Sequence, residues 1–265
     1  MLLSFDNKAI ADWAKLSGDY NPIHFEVERA RETGANDIIV HGMLPLLHIK
    51  QRLSTVLPAD TGRDWVSVKA MFRSPVLRQL PHALEIQPGK QRSRFSLRAT
   101  HDASEVMAGS VYRSVPVESP EQPASFSIDR QLFREKRAVF AEAFPDFDRA
   151  WLLVDALTFS QFLSSEVPFS IVRDLAKMSG IASQHELMDA ALTVQTAHTV
   201  MVEPELFRMP LSQLKDPGEI RCELHAPVTV PNSKDTLSGL SQFTVRLDGR
   251  PVMQSEVGLL VRFKS

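Results

Sequence analysis

The chain has a single cysteine, Cys222. No intrachain disulfide can form, and no cysteine-based metal site can be built. Cys222 lies in Ile220-Arg221-Cys222-Glu223-Leu224, an alternating run that reads as a strand, so its role is structural. No apolar stretch approaches the roughly 18 residues that a membrane-crossing helix needs. The opening run Met1-Leu2-Leu3-Ser4-Phe5-Asp6 has no basic segment followed by an apolar one, the pattern of a secretory signal, and a cytoplasmic protein is expected. Charge of one sign is lacking too. Thirty Lys and Arg against 32 Asp and Glu leave a net charge of −2, which gives no bias toward nucleic acid. The short basic run Lys90-Gln91-Arg92-Ser93-Arg94 reads as a solvated strand start.

What is present is ordinary core material. Apolar residues make up 43% of the 265 positions, enough for one large domain or two small ones. The clearest punctuation is Pro116-Val117-Glu118-Ser119-Pro120-Glu121-Gln122-Pro123, three prolines in a stretch without large apolar side chains. It reads as an extended linker over residues 116–125, separating units at 1–115 and 126–265.

The two units look alike. Residues 93–100 alternate as a strand, turn at His101-Asp102-Ala103-Ser104, and return as a second strand over 106–112. Residues 241–247 do the same, turning at Asp248-Gly249-Arg250 and returning over 252–261. Both read as hairpins. Phe72-Arg73-Ser74-Pro75-Val76 matches Leu224-His225-Ala226-Pro227-Val228 as a strand that stops at a Pro-Val step. Each unit offers one apolar helix ahead of its hairpin, 43–53 in the first and 169–178 in the second. Pro45 is tolerated in the first turn, where its missing N–H has no intrahelical partner. The pattern predicts two copies of an α+β unit, one helix wrapped by an antiparallel sheet.

Asp19 and His24 lie in Ser17-Gly18-Asp19-Tyr20-Asn21-Pro22-Ile23-His24. Pro22 forbids a continuous helix and pushes Asn21 to an extended conformation. A sharp loop can then bring a carboxylate and an imidazole onto one site, where the pair can hold a water and move its proton. Asn21 is suited to hydrogen-bond the carboxylate and orient it. The second element, Val40-His41-Gly42-Met43, stands at the entrance to the first apolar helix. Free amides there favour developing negative charge, and glycine lets a ligand approach the backbone. Such a site suits a thioester carbonyl gaining enolate character.

These residues, with Ala30 and Ile39 between them, closely resemble the signature of MaoC-like dehydratases and (R)-specific enoyl-CoA hydratases, the hydratase 2 family. The resemblance spans about residues 5–115. It implies a double hot-dog fold, Asp19 and His24 as the catalytic pair, Asn21 in support, and the Gly42 amide on the thioester carbonyl, flanked by His41 and Met43. It implies interconversion of trans-2-enoyl and (R)-3-hydroxyacyl thioesters, as in fatty acid or polyketide metabolism. No metal or redox cofactor is implied; coenzyme A or phosphopantetheine enters only as part of an acyl-CoA or acyl-carrier-protein substrate. The chain departs from the family in two places. Leu77-Arg78-Gln79-Leu80-Pro81 replaces the usual Gly-Asp after Pro-Val, and Lys50 stands where many members carry a small hydroxyl residue. The second unit has no Asp-x-Asn-Pro-x-His, and His185, His198 and His225 have no partnering motif, so it reads as a repeat without its own catalytic pair. A non-catalytic acyl-thioester binder and a hot-dog thioesterase are the alternatives. The fused pair can stand alone or form a homodimer through further sheet contacts.

Overall fold

The computed structural model describes residues 1–56, 64–118, 125–165, 167–168, 180–182, 186, 190–233 and 235–263. Eleven strands among them form one sheet: β1 (Leu2–Leu3), β2 (Trp65–Phe72), β3 (His82–Gln87), β4 (Arg92–Ala99), β5 (Glu105–Ser114), β6 (Ser125–Asp129), β7 (Ala191–Val202), β8 (Glu219–Leu224), β9 (Val228–Ser233), β10 (Thr236–Leu247) and β11 (Arg250–Phe263). All ladders are antiparallel. The helices are α1 (Asn7–Ser17), α2 (Val27–Glu32), α3 (Met43–Val56), α4 (Arg130–Ala143), α5 (Ala150–Ser164) and α6 (Pro204–Arg208), with 3₁₀ turns at Pro22–His24 and Leu211–Gln213. No helix of the described residues is long and apolar enough to cross a membrane.

The strand order is β1-β3-β4-β5-β2-β7-β11-β10-β8-β6, with β9 added on β10. Read outward from the middle, β2-β5-β4-β3-β1 on one side matches β7-β11-β10-β8-β6 on the other. In chain order each half runs one strand, then helices (three in the first half, two in the second), then the remaining strands, with α6 inserted after β7 in the second. The halves meet where β2 pairs β7, from Val66↔Val202 to Met71↔Ala197. This is the double hot-dog fold, with α3 and α5 as the two central helices packed against each other. Both hairpins expected from the alternation are present, as β4–β5 and β10–β11.

Two expectations need correction. The strand before Pro227 is β8, whose topological counterpart is β3, whereas β2 corresponds to β7. The Pro-Val steps at Pro75 and Pro227 are therefore a local coincidence, not equivalent corners. The central helix of the second half is α5, which is buried along nearly its whole length. A helix apolar on all sides carries no amphipathic stripe to announce it. The segment 169–178 that was expected to supply this helix lies outside the described residues, as does most of the linker (119–124).

The core is one cluster spanning both halves. It includes Leu44, Leu46, Leu47, Ile49 and Leu53 of α3, and Trp151, Leu153, Leu157 and Phe162 of α5. His48 of α3 packs edge-on against Phe5 and Phe147, with ring centroids 5.3 and 4.9 Å away. Burial there pulls its pKa down to about 4.

A histidine kept neutral in the fold must take up its proton when the chain unfolds in mild acid. The unfolded state then binds more protons between about pH 6.5 and pH 4, so stability falls as pH drops through that window. Urea midpoints measured from pH 7 to 4.5 are expected to decline, and the decline is expected to be shallower in His48→Leu. A variant with the wild-type pH dependence would refute this assignment.

Candidate active site

The site loop starts where α1 ends. Gly18 closes the helix with φ 76° and ψ 7°, its N–H donating to Ala14 O; this left-handed geometry favours glycine. A ladder of short bonds follows. Ser17 Oγ accepts the Asp19 N–H at 3.2 Å. Asp19 Oδ1 accepts the Asn21 N–H at 3.2 Å. Asn21 Oδ1 accepts the Ile23 N–H at 3.2 Å and caps the Pro22–His24 turn. These are one Ser turn and two Asx turns in series, the device Ser, Asp and Asn offer in place of regular structure. Asn21 meets the Asp19 carboxylate through its backbone amide, not its side chain. Its side chain is spent on the turn.

The imidazoles are fixed by backbone carbonyls. His24 Nδ1 lies 2.6 Å from Ile39 O, and His41 Nε2 lies 2.9 Å from Asp19 O. A carbonyl only accepts, so those nitrogens carry the hydrogens. In the neutral rings this leaves His24 Nε2 and His41 Nδ1 bare. The two rings stack with centroids 3.7 Å apart. The segment holding Ile39 and Val40 is pinned to residues 76–78: Ile39 bridges Leu77, Val40 N–H donates to Val76 O at 2.8 Å, and Arg78 N–H donates to Ile38 O at 3.0 Å. The Pro75-Val76 step is thus the backing of the site. The departure that follows it is accommodated by Gln79 at φ 57°.

Gly42 immediately precedes α3, whose Leu44 N–H donates back to His41 O at 2.9 Å and whose Leu46 N–H donates to Gly42 O at 3.4 Å. A Cβ at Gly42 would sit 2.9 Å from Cε1 and 3.1 Å from Cδ1 of Phe72, so glycine here lets the Phe72 ring pack against the backbone. Met43 is buried, and its sulfur is 3.6 Å from the Gln195 amide nitrogen on β7.

His24 Nε2 faces Asp19 Oδ2 at 3.7 Å. With the imidazole neutral, both atoms are acceptors, an arrangement that suits a water donating one hydrogen to each. Burial lowers the His24 pKa, against the opposing pull of Asp19 and Ile39 O. His41 is pushed down to about 4 by burial and by the neighbouring His24. Asp19, His24 and His41 each bring a donor atom within 4.8 Å of the others.

The second half supports this site, and nothing in the motif announces it. Ser160 Oγ of α5 donates to Ser17 O at 2.7 Å and approaches Leu16 O at 3.3 Å. Lys136 of α4 also donates to Leu16 O, placing a cation at the end of α1. The loop counterpart in the second half, between α4 and α5, is only the segment 144–149. That is too short for a copy of residues 18–42. His198, however, does have a partner. Its Nε2 lies 3.1 Å from Asp155 Oδ1, while Lys50 Nζ lies 2.5 Å from Asp155 Oδ2. All three are buried. Burial would raise the Asp155 carboxyl, but the Lys50 and His198 side chains bring it down to about 2. Burial lowers His198 and keeps it neutral. Lys50 is thus the α3 end of an ion pair to α5. His225 meets Thr244 Oγ1 at 3.0 Å, and His185 lies outside the described residues.

Removing one member of a buried pair strands the other charge and costs about 3–5 kcal/mol, whereas replacing both with apolar groups is often neutral. Lys50→Met or Asp155→Asn is therefore expected to lower unfolding free energy by about that amount in urea titrations. The double variant Lys50→Met/Asp155→Leu should recover most of it. Additive losses in the double variant would refute the pairing.

Residues 3–97 match the family model described as MaoC like domain. A mitochondrial 3-hydroxyacyl-[acyl-carrier-protein] dehydratase of Arabidopsis thaliana is 39% identical over 72 residues, 27% of this chain and 42% of that protein. The chain thus spans less than half the length of this relative. A 3-hydroxybutyryl-CoA dehydratase of Methylorubrum extorquens is 27% identical over 119 residues, 43% of this chain and 75% of that protein. A solved MaoC-like dehydratase superposes with a TM-score of 0.47 at 10% identity, over 99% of this chain and 96% of that one. The site loop, the helix entrance and residues 76–78 that back them all fall within residues 3–97, the part of the chain that is similar to the MaoC like domain family.

Proposed function

We propose that the protein is a hydratase/dehydratase that interconverts trans-2-enoyl and (R)-3-hydroxyacyl thioesters of coenzyme A or acyl carrier protein. The observation that carries this reading is the pair of facing acceptors, Asp19 Oδ2 and His24 Nε2, 3.7 Å apart beside the entrance to α3. A water held by both presents its oxygen lone pair outward to C3 of an enoyl thioester. His24 Nε2 takes one proton as the oxygen attacks, and the Asp19 carboxylate stabilises the imidazolium. The thioester carbonyl, gaining enolate character, lies against the Gly42 amide and the α3 N-terminus. The same proton then returns to C2, so water adds across the double bond with no redox change; dehydration is the reverse. This chemistry uses no metal or redox cofactor, and coenzyme A or phosphopantetheine belongs to the substrate. The two relatives named as dehydratases support the reading. The fused halves satisfy within one chain the sheet pairing at β2–β7.

Asp19→Asn and His24→Gln are each expected to lower crotonyl-CoA hydration by about 10²–10⁴-fold while leaving the fold intact by circular dichroism. Near-normal turnover in both would sink the assignment. Loss of the conjugated thioester absorbance marks hydration; release of free thiol would mark a thioesterase, and binding without either would mark a non-catalytic module.

The base form of His24 is the active one, and its pKa lies below the ordinary 6.5. The acid limb of kcat/KM is therefore expected below pH 6.5, with a flat profile from there to neutrality. An acid limb centred above 6.5 would place the proton elsewhere.

A further inference from the structure

We infer that Tyr20 and Phe25 form the contact surface for the pantetheine arm that carries the acyl group. This inference rests on the thioester reading above.

Among the described residues, the large apolar side chains that stand exposed include two aromatics, Tyr20 at 64% and Phe25 at 39%. Isolated exposed apolar residues mean little, but a contiguous exposed aromatic pair marks a contact surface. These two rings stack on each other at 6.0 Å with planes 23° apart. Phe25 in turn meets the His41 ring edge-on at 6.1 Å. The track therefore runs from the imidazole beside Gly42 out to solvent. The backbone enforces it. Tyr20 lies between Asp19 and Asn21, which are tied to each other by the Asn21 N–H bond to Asp19 Oδ1. Phe25 follows His24, and its own N–H is held by Pro22 O at 3.0 Å.

The occupant follows from the chemistry of a thioester seated at Gly42. The carrier is too large and too charged to be buried, so the sulfur side must leave toward solvent. The pantetheine arm has a backbone of amides and methylenes with a gem-dimethyl group. It is comparable to a peptide of about four residues and reaches on the order of 14 Å when extended. Such an arm covers two successive rings, and its methyl groups gain by packing on aromatic faces. Coenzyme A and acyl carrier protein share this arm, so the surface serves either carrier.

The test compares crotonyl-CoA with crotonyl-N-acetylcysteamine, which keeps the thioester and its first amide but lacks the pantoate. Wild type is expected to favour the full carrier. Tyr20→Ser and Phe25→Ser should reduce that preference by about tenfold, through KM, and Tyr20→Phe should retain it. Equal losses on both substrates would mean the rings only brace His41, and would overturn the inference. So would an unchanged preference, or a loss that grows with acyl chain length on the truncated carrier, which would place the rings against the acyl tail. A wild-type protein that hydrates neither thioester would instead sink the functional reading itself, and this inference with it.

Discussion

The ion pair between Lys50 of α3 and Asp155 of α5, backed by His198 of β7, is the interaction on which the rest of the arrangement depends. A buried charge is tolerated only with its partner in place. Lys50 lies seven residues along the helix whose entrance carries Gly42, so its axial position and that of the Gly42 amide are linked through a stiff element. The neighbouring Trp151 Nε1 bond to Ser54 Oγ at 3.2 Å fastens the same two helices one turn further on. The second half, whose sequence lacks the Asp-x-Asn-Pro-x-His motif, is thus the foundation of the first.

The same dependence appears at the end of α1. The carbonyls of Leu16 and Ser17, in the last turn of α1, have no helical N–H to accept from, and Ser160 and Lys136 from the second half supply donors. One residue later the chain enters the Asx turns that orient Asp19. The loop over residues 18–42 contains little regular structure, yet its side chains are held by carbonyls and amides, and its later part is pinned from outside by residues 76–78. This is how a loop can carry chemistry with the precision of a strand or helix.

Much of the site was legible in the residues themselves. Gly18, Asp19, Asn21 and Pro22 have local roles, and local hydrogen bonding decides them. The start of α3 at Met43 and the two hairpins follow from spacing. The second central helix, α5, is buried on nearly every side and so carries no stripe that marks it in the sequence, while segment 169–178, which has a helical period, lies outside the described residues. The Pro75 and Pro227 steps were matched because short strand ends look alike, whereas strand equivalence is set by which ladder each strand joins. Lys50 looked like an odd substitution because its partner is 105 residues away, and His198 looked unpartnered for the same reason.

The sequence alone determined that a carboxylate and an imidazole share one sharp turn ahead of a helix entrance, because Pro22 and the Asx-turn residues act over a few bonds. It also determined that the motif occurs once. Tertiary structure decided that the imidazole and carboxylate face each other as two acceptors. It decided too that Asn21 works through its backbone, and that the second half anchors the first through Lys50, Asp155 and Ser160. That anchoring depends on carbonyls and charges brought together across a hundred or more residues, where burial makes each unpaired group costly and so selects one arrangement.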